Sequence, residues 1–144
     1  MYRFLITLLT SYNEYILYLS YNLIINQINH NLDYTILIVV NSLNQHYYKD
    51  VCKKFESYNV EIIQTQSNGK PGMGHNSALE IFKNKNEYDY LIPIDGDDFL
   101  YPYAFHQLIK CIDQYDPDIL ALQGNDNLTF YENSTCSTDI YLNN

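Results

Sequence analysis

The sequence has three cysteines, and their spacing matches no disulfide or metal-binding motif. Cys52, Cys111 and Cys136 are an odd set that lies far apart, with no Cys-x-x-Cys motif. A disulfide framework needs an even set, and a structural zinc site needs closely spaced ligands. We therefore expect neither feature, and the unpaired thiols indicate a protein of a reducing compartment.

Positive charge is also scarce. Eight Lys and Arg residues stand against 17 Asp and Glu, which gives a net charge of −9. Binding to nucleic acid or to an anionic membrane surface needs clustered Lys and Arg, so the composition argues against both partners. A single nucleotide is still compatible, because a bound divalent cation can supply the positive charge.

Long apolar runs are absent as well. The run Phe4–Leu9 follows a single Arg and precedes no small-residue cleavage site, so we interpret it as a strand and not as a signal peptide. No later run reaches the length of a transmembrane helix. These features predict a cytoplasmic protein without a transmembrane segment. With 47% hydrophobic residues, we expect one domain over residues 1–144, with a polar, poorly patterned tail at 124–144.

What the chain does contain is an alternation of strand-like and helix-like segments. Short apolar runs, several rich in β-branched residues, indicate buried strands, and longer segments with apolar residues at helical spacing indicate helices. Strands are predicted at 4–9, 35–40, 60–63, 90–94 and 119–122, and helices at 15–27, 47–58, 75–82 and 102–115. The predicted inward faces include Ile16, Leu19, Leu23 and Ile24 in the first helix and Ala78, Leu79 and Phe82 in the third.

This alternation predicts an α/β fold with right-handed βαβ units and a mostly parallel sheet between two helical layers. Ligands of such sheets bind beyond the carboxyl ends of the strands. Polar segments follow four of the predicted strands, at 10–13, 41–44, 67–74 and 95–98. The sequence therefore predicts a single crevice that is formed by four loops.

The last of these segments, residues 95–98, contains three carboxylates directly after a strand. In extended backbone Asp95 and Asp97 would project to the same side, and Gly96 would let a ligand approach the backbone closely. Hard oxygen ligands at this spacing suit Mg²⁺ or Mn²⁺, with phosphate oxygens completing the shell. The alternative is a simple Asp-Gly turn with solvated acids. Asp98 is predicted to cap a helix or to support the ligands, without binding the metal itself.

Four motifs carry a resemblance to a known family. They are LTSYNE at 9–14, IVVNS at 38–42, NGKPGMGHNSAL at 68–79 and LIPIDGDDFLYP at 91–102. In this order they resemble glycosyltransferase family 2, and the last looks like the DxD motif of that family. The resemblance implies a Rossmann-like GT-A fold and a metal-dependent enzyme. Such an enzyme would transfer a sugar from a nucleotide-sugar to an acceptor hydroxyl, with inversion at the anomeric carbon. The resemblance favours a UDP-sugar as the donor.

For the base of the nucleotide, the resemblance implies three contacts. Thr10 and Tyr12 would line the base pocket, with the Tyr12 ring stacked on uracil or a similar base. Asn41 stands where relatives often carry an acid that reads the base, and its amide can both donate and accept hydrogen bonds. The plainer alternative for Tyr12 is that it is one surface tyrosine among 16.

For the diphosphate, the resemblance implies three further residues. Lys70 would neutralise phosphate charge, and the plainer alternative is a solvated loop cation. Asp95 would face the ribose and the metal, and Asp97 would ligate the Mn²⁺ or Mg²⁺ that bridges the diphosphate. The metal would act as a Lewis acid on the departing nucleoside diphosphate.

The main departure from the family is length. Inverting members place the general base well downstream of the DxD motif, whereas 47 residues follow Asp97 here. The late acids Asp126, Glu132 and Asp139 lack a recognisable context, so no catalytic base is assigned. A non-catalytic nucleotide-sugar-binding module, or a truncated donor-binding half, is therefore the alternative.

A nucleotidyltransferase is a weaker alternative, because residues 10–13 lack the Gly and Arg that usually contact a triphosphate. For the leading hypothesis, the acceptor would be a glycan, a protein or a lipid. The chain would act as a homo-oligomer or within a larger glycosyltransferase assembly.

Overall fold

The computed structural model describes residues 2–28, 32–122 and 138–141 of the chain. Strands and helices alternate from β1 to β5, in the order that the sequence predicts, and one more strand follows. The strands are β1 (Arg3–Thr10), β2 (Asp33–Val40), β3 (Glu61–Gln64), β4 (Tyr90–Asp95), β5 (Ile119–Leu122) and β6 (Thr138–Tyr141). The helices are α1 (Glu14–Gln27), α2 (Gln45–Lys54), α3 (Pro71–Lys85) and α4 (Ala104–Tyr115).

Four of these strands form a central parallel sheet in the order β3-β2-β1-β4. In its register Ile6 of β1 lies between Ile36 of β2 and Ile92 of β4. Seven of the eight residues of β1 are buried, as expected for an apolar strand that is covered on both faces. The predicted α/β fold with a mostly parallel sheet is therefore confirmed.

Helices cover both faces of this sheet. On one face α1, α2 and α4 bury the larger core cluster, in which Leu17, Val51 and Phe105 pack against alternate residues of the strands. On the other face Ala78 of α3 packs against Leu5 and the remaining strand residues. Alternation of side chains along each strand assigns consecutive residues to opposite cores. The result is the three-layer arrangement that the sequence predicts.

The order of the strands creates a switch point beside β1. The chain moves outward from β1 through β2 to β3, and α3 then carries it back across to β4 on the opposite side of β1. In open α/β sheets the crevice for a ligand lies at such a point, outside the carboxyl ends of the strands. Here those ends are Thr10 of β1 and Asp95 of β4.

The predicted inward face of α1 is wrong in part. Leu19 and Leu23 are each 37% exposed, whereas Leu17, Tyr21 and Ile24 are buried. The helix carries apolar residues on more than one side, so two faces have helical spacing and the pattern alone does not select between them.

The predicted start of α3 is also wrong. The sequence suggests a loop up to Gly74, but the helix begins at Pro71. Proline suits the first helical position, since its missing N–H has no partner there in any case. Gly74 is a helical residue whose role is close packing and not loop flexibility. Leu79, predicted to face inward, is 42% exposed, while Ala78 is buried as expected.

The end of α2 and the pairing of β5 also differ from the prediction. α2 ends at Lys54 and does not continue to Tyr58. β5 forms where expected, but it pairs antiparallel with β6, in a separate two-stranded sheet. That pairing gives regular structure to Thr138–Tyr141, inside the segment that the sequence leaves unpatterned. Asp126 and Glu132 lie outside the described residues.

In the described part of the chain, no helix is both long enough and apolar enough to span a membrane.

Candidate functional site

A cleft opens at the switch point, where β1 and β4 end. Its edges are drawn together by Gly96, whose N–H donates to the carbonyl of Leu9 at 2.6 Å. A Cβ at Gly96 would lie 2.7 Å from that carbonyl oxygen, so a side chain here would force the two strand ends apart. The lining residues are Leu9, Thr10, Ser11, Tyr12, Asn13, Ile16, Asn41, Gly69, Pro71, Asp95, Gly96 and Asp97.

Tyr12 and Thr10 occupy different depths of this cleft. Tyr12 is 71% exposed, and its hydroxyl lies 3.4 Å from Asp97 Oδ2. Thr10 is buried, and its Oγ1 lies 2.5 Å from the hydroxyl of Tyr47 on α2. Burial raises the pKa of Tyr47, so this phenol stays protonated at neutral pH. The exposed ring of Tyr12 is therefore available to a flat ligand, whereas the side chain of Thr10 is held by its hydrogen bond to Tyr47.

Asn41 directly follows β2, and Lys70 ends the loop between β3 and α3. The Asn41 side chain is buried and donates from Nδ2 to the backbone carbonyl of Lys70 at 3.0 Å. Lys70 itself is exposed and precedes α3 as its N-cap residue. It is not among the lining residues, although its neighbours Gly69 and Pro71 both are.

The acids after β4 lie in a turn. The N–H of Asp98 donates to the carbonyl of Asp95 at 3.0 Å, so the extended geometry ends at Asp95. Asp95 Oδ1 pairs with Nε2 of His75 on α3 at 3.0 Å, and half of the Asp95 side chain is exposed. Desolvation, with the like charges of Asp95 and Asp97, raises the pKa of Asp98. Asp95 and Asp97 are the two acids of this turn that line the cleft.

The segment after this turn is fixed to α1. Ser20 Oγ donates to the carbonyl of Asp98 at 2.7 Å, and Gln27 Nε2 donates to the carbonyl of Leu100 at 3.2 Å. The predicted helix-capping role of Asp98 is wrong, because α4 begins later and Tyr103 precedes it. Asp98 instead contributes to the turn and to its negative field.

Comparison with known proteins decides the family. The sequence model described as "Glycosyl transferase family 2" matches residues 7–127, which include every cleft residue. The chain belongs to glycosyl transferase family 2. No curated protein matches it significantly.

This family 2 chain also resembles solved structures of S. aureus TarS. Its superposition on TarS 1-349 has a TM-score of 0.66 at 20% identity, and covers 90% of this chain and 40% of that one. The complex of TarS 1-349 with UDP-GlcNAc gives the same score and identity, over 38% of that chain. The predicted GT-A fold is confirmed by this likeness. The chain spans about two fifths of the TarS 1-349 structure.

The cleft of this family 2 chain provides two carboxylates for a divalent cation, Asp95 and Asp97. Among the residues that the structure describes, no three His, Cys, Asp or Glu side chains are arranged to hold a metal ion. Asp95 and Asp97 supply hard carboxylate oxygens at one edge of the cleft. Mg²⁺ is commonly held by one or two carboxylates together with the phosphates of a substrate. The donor set thus suits a cation that is shared with a diphosphate.

Sequence reasoning missed three residues that shape the cleft of this family 2 chain. Tyr47 holds Thr10, His75 holds Asp95, and Ser20 holds the turn at Asp98. His75 lies within the third motif. A helix predicted from Pro71, where α3 begins, would have placed His75 in its second turn. Ser20 and Tyr47 lie on apolar helix faces, where the sequence pattern indicates only core packing.

Proposed function

We propose that this family 2 chain binds a nucleotide-sugar donor, with a UDP-sugar as the favoured donor, and that it transfers the sugar to an acceptor hydroxyl. The observation that carries the proposal is the convergence of an exposed aromatic ring and two carboxylates on one cleft at the switch point of the sheet. TarS, which shares the fold, has been crystallised with UDP-GlcNAc and with UDP. A uridine nucleotide is therefore the first ligand to test.

In this proposal the nucleoside occupies the end of the cleft near β1. The Tyr12 ring stacks on the base, since a ring that is 71% exposed offers a free face. Thr10 and Asn41 bound the same end, and both are fixed by buried hydrogen bonds. Such preorganisation lowers the entropy that a ligand loses on binding.

The diphosphate lies toward the acids and α3. Lys70 supplies a point charge to its oxygens, and Asp95 accepts from the ribose. His75 fixes one oxygen of Asp95 at 3.0 Å, which leaves the second oxygen for the ligand. Asp95 and Asp97 would hold Mn²⁺ or Mg²⁺, which supplies charge stabilisation to the departing diphosphate. The acceptor is the hydroxyl of a glycan, a protein or a lipid, and direct displacement by it inverts the anomeric carbon.

Calorimetry with UDP and Mn²⁺ tests this proposal. We expect saturable UDP binding in the presence of Mn²⁺, and a loss of affinity of at least about tenfold in Asp97→Asn, because removing one charged ligand weakens a charge-assisted site. Asp118→Asn is the matched control, since it removes the same charge from an exposed residue outside the cleft. Absence of UDP binding with Mn²⁺ present would refute the proposal.

A second candidate function is donor binding without transfer. It is favoured by the lining of the cleft, in which the two described acids, Asp95 and Asp97, are both assigned to the donor and its cation and neither is left to activate an acceptor. Incubation of the chain with UDP-GlcNAc and Mn²⁺ separates the two candidates. Release of UDP, with or without an added acceptor, would exclude the purely binding role.

A further inference from the structure

Asn41 connects three segments that surround the cleft. Its backbone N–H donates to the carbonyl of Thr10 at 2.7 Å, which ties it to the end of β1. Its side-chain Nδ2 donates to the carbonyl of Lys70, at the start of α3. Its Oδ1 accepts from Thr65 Oγ1 at 2.8 Å and from the hydroxyl of Ser67, both in the loop after β3. Only 2% of Asn41 is exposed.

The orientation of the Asn41 amide follows from its partners. The Lys70 carbonyl can only accept a hydrogen bond, so the atom that faces it must be the nitrogen. The two hydroxyl groups therefore face the oxygen. An amide oxygen has two lone pairs, and Thr65 and Ser67 occupy both. Asn41 consequently has no acceptor capacity left for a ligand.

Gly74 shows how closely this amide is enclosed. A Cβ at Gly74 would lie 2.9 Å from Asn41 Nδ2 and 3.0 Å from its Cγ. The side chain thus has α3 on one side and the hydroxyl groups on the other. Rotation of the amide to meet a ligand would break three hydrogen bonds, and each buried group left unpaired costs about 1–3 kcal/mol.

We propose that Asn41 is a positioning residue that fixes the Gly69–Pro71 wall of the cleft, and that it does not accept a hydrogen bond from the base. This inference rests on the proposed function. Uracil presents an N3–H donor, whereas cytosine has an acceptor nitrogen at the same position. Without free acceptor capacity, Asn41 contributes nothing to the choice between these two bases, so its replacement leaves the ratio of UDP to CDP affinity unchanged.

Titration calorimetry with UDP and with CDP, each with Mn²⁺, tests the inference. We expect the ratio of the two dissociation constants to change by less than about threefold between the unmodified protein and Asn41→Ala, because a group that pairs with a substrate N–H contributes far larger discrimination. In Asn41→Ala the wall loses its anchor, so both nucleotides should weaken by about tenfold or more while the UDP-to-CDP ratio stays unchanged. Ser42→Ala, which removes a half-buried hydroxyl one residue away and outside the cleft, should leave both affinities unchanged.

A second variant covers the case in which Asn41→Ala does not fold. Thr65→Val retains the asparagine at position 41 but removes one of the two hydroxyl groups that donate to its side-chain oxygen. Parallel weakening of UDP and CDP in this variant supports a positioning role. A variant that weakens UDP alone would overturn the inference, as would an Asn41→Ala protein that binds both nucleotides as tightly as the unmodified protein. Binding of neither nucleotide would instead refute the proposed function itself.

Discussion

Gly74 and Gly72 occupy the first turns of α3, and replacing each by alanine should have opposite effects. A Cβ at Gly74 would lie 2.5 Å from Leu9 Cδ1 and 2.9 Å from Asn41 Nδ2. Asn41 cannot move without losing hydrogen bonds, so the clash falls near the upper end of the overpacking range, about 3 kcal/mol. Alanine regains about 1 kcal/mol of helix propensity, which leaves a net destabilisation of about 2 kcal/mol.

Gly72→Ala is the matched control. Nothing lies within 4 Å of a Cβ at Gly72, so this variant gains propensity without a clash and should be stabilised by up to about 1 kcal/mol. Urea unfolding followed by circular dichroism measures both free energies. In thermal melts, Gly74→Ala should lose about 6 °C, at about 3 °C per kcal/mol for a chain of this size. Equal shifts of the two variants in the same direction would show that close packing at Gly74 has no energetic role.

The remaining predictions concern the support of the cleft and the face of α1. Tyr47→Phe should lower the free energy of unfolding by about 1–2 kcal/mol in urea titrations, because the buried hydroxyl of Thr10 loses its partner. Burial raises the pKa of Tyr47 above 10.0, so the stability of the unmodified protein should fall as the pH rises above 10, and less steeply in Tyr47→Phe. Leu17→Ala should cost about 2–5 kcal/mol, whereas Leu19→Ala should cost less than about 1 kcal/mol. Equal costs for the two leucines would contradict the assigned inward face of α1.

Much of the fold could be predicted because its signals are local. The run from Thr35 to Val40 is apolar and β-branched, and it forms the buried β2. Alternation of strand and helix then restricts the topology to right-handed parallel units. The face of α1 and the partner of β5 could not be predicted in this way. Both depend on contacts with distant segments, and Ile119 pairs with Tyr141 only in three dimensions.

For the site, sequence reasoning located the residues that stand at strand ends but not those that hold them. Tyr12 and Asn41 follow strands and Asp95 ends one, so their position at one edge of the sheet is a property of the topology. The saturation of the Asn41 amide depends on Thr65 and Ser67, which no spacing rule connects to it. Likewise, the helical state of Gly74 reflects the space left by Leu9, and glycine alone suggests a loop.

The hydroxyl of Tyr12 lies 3.4 Å from Asp97 Oδ2, and this contact has a thermodynamic consequence. Under the proposed function Tyr12 would stack on the base and Asp97 would hold the cation, so the two ligands would bind at residues that contact each other. Since two carboxylates leave a cation under-coordinated until phosphate oxygens arrive, nucleotide and cation should bind with positive cooperativity. Linkage makes this coupling reciprocal, so the factor by which Mn²⁺ tightens UDP equals the factor by which UDP tightens Mn²⁺.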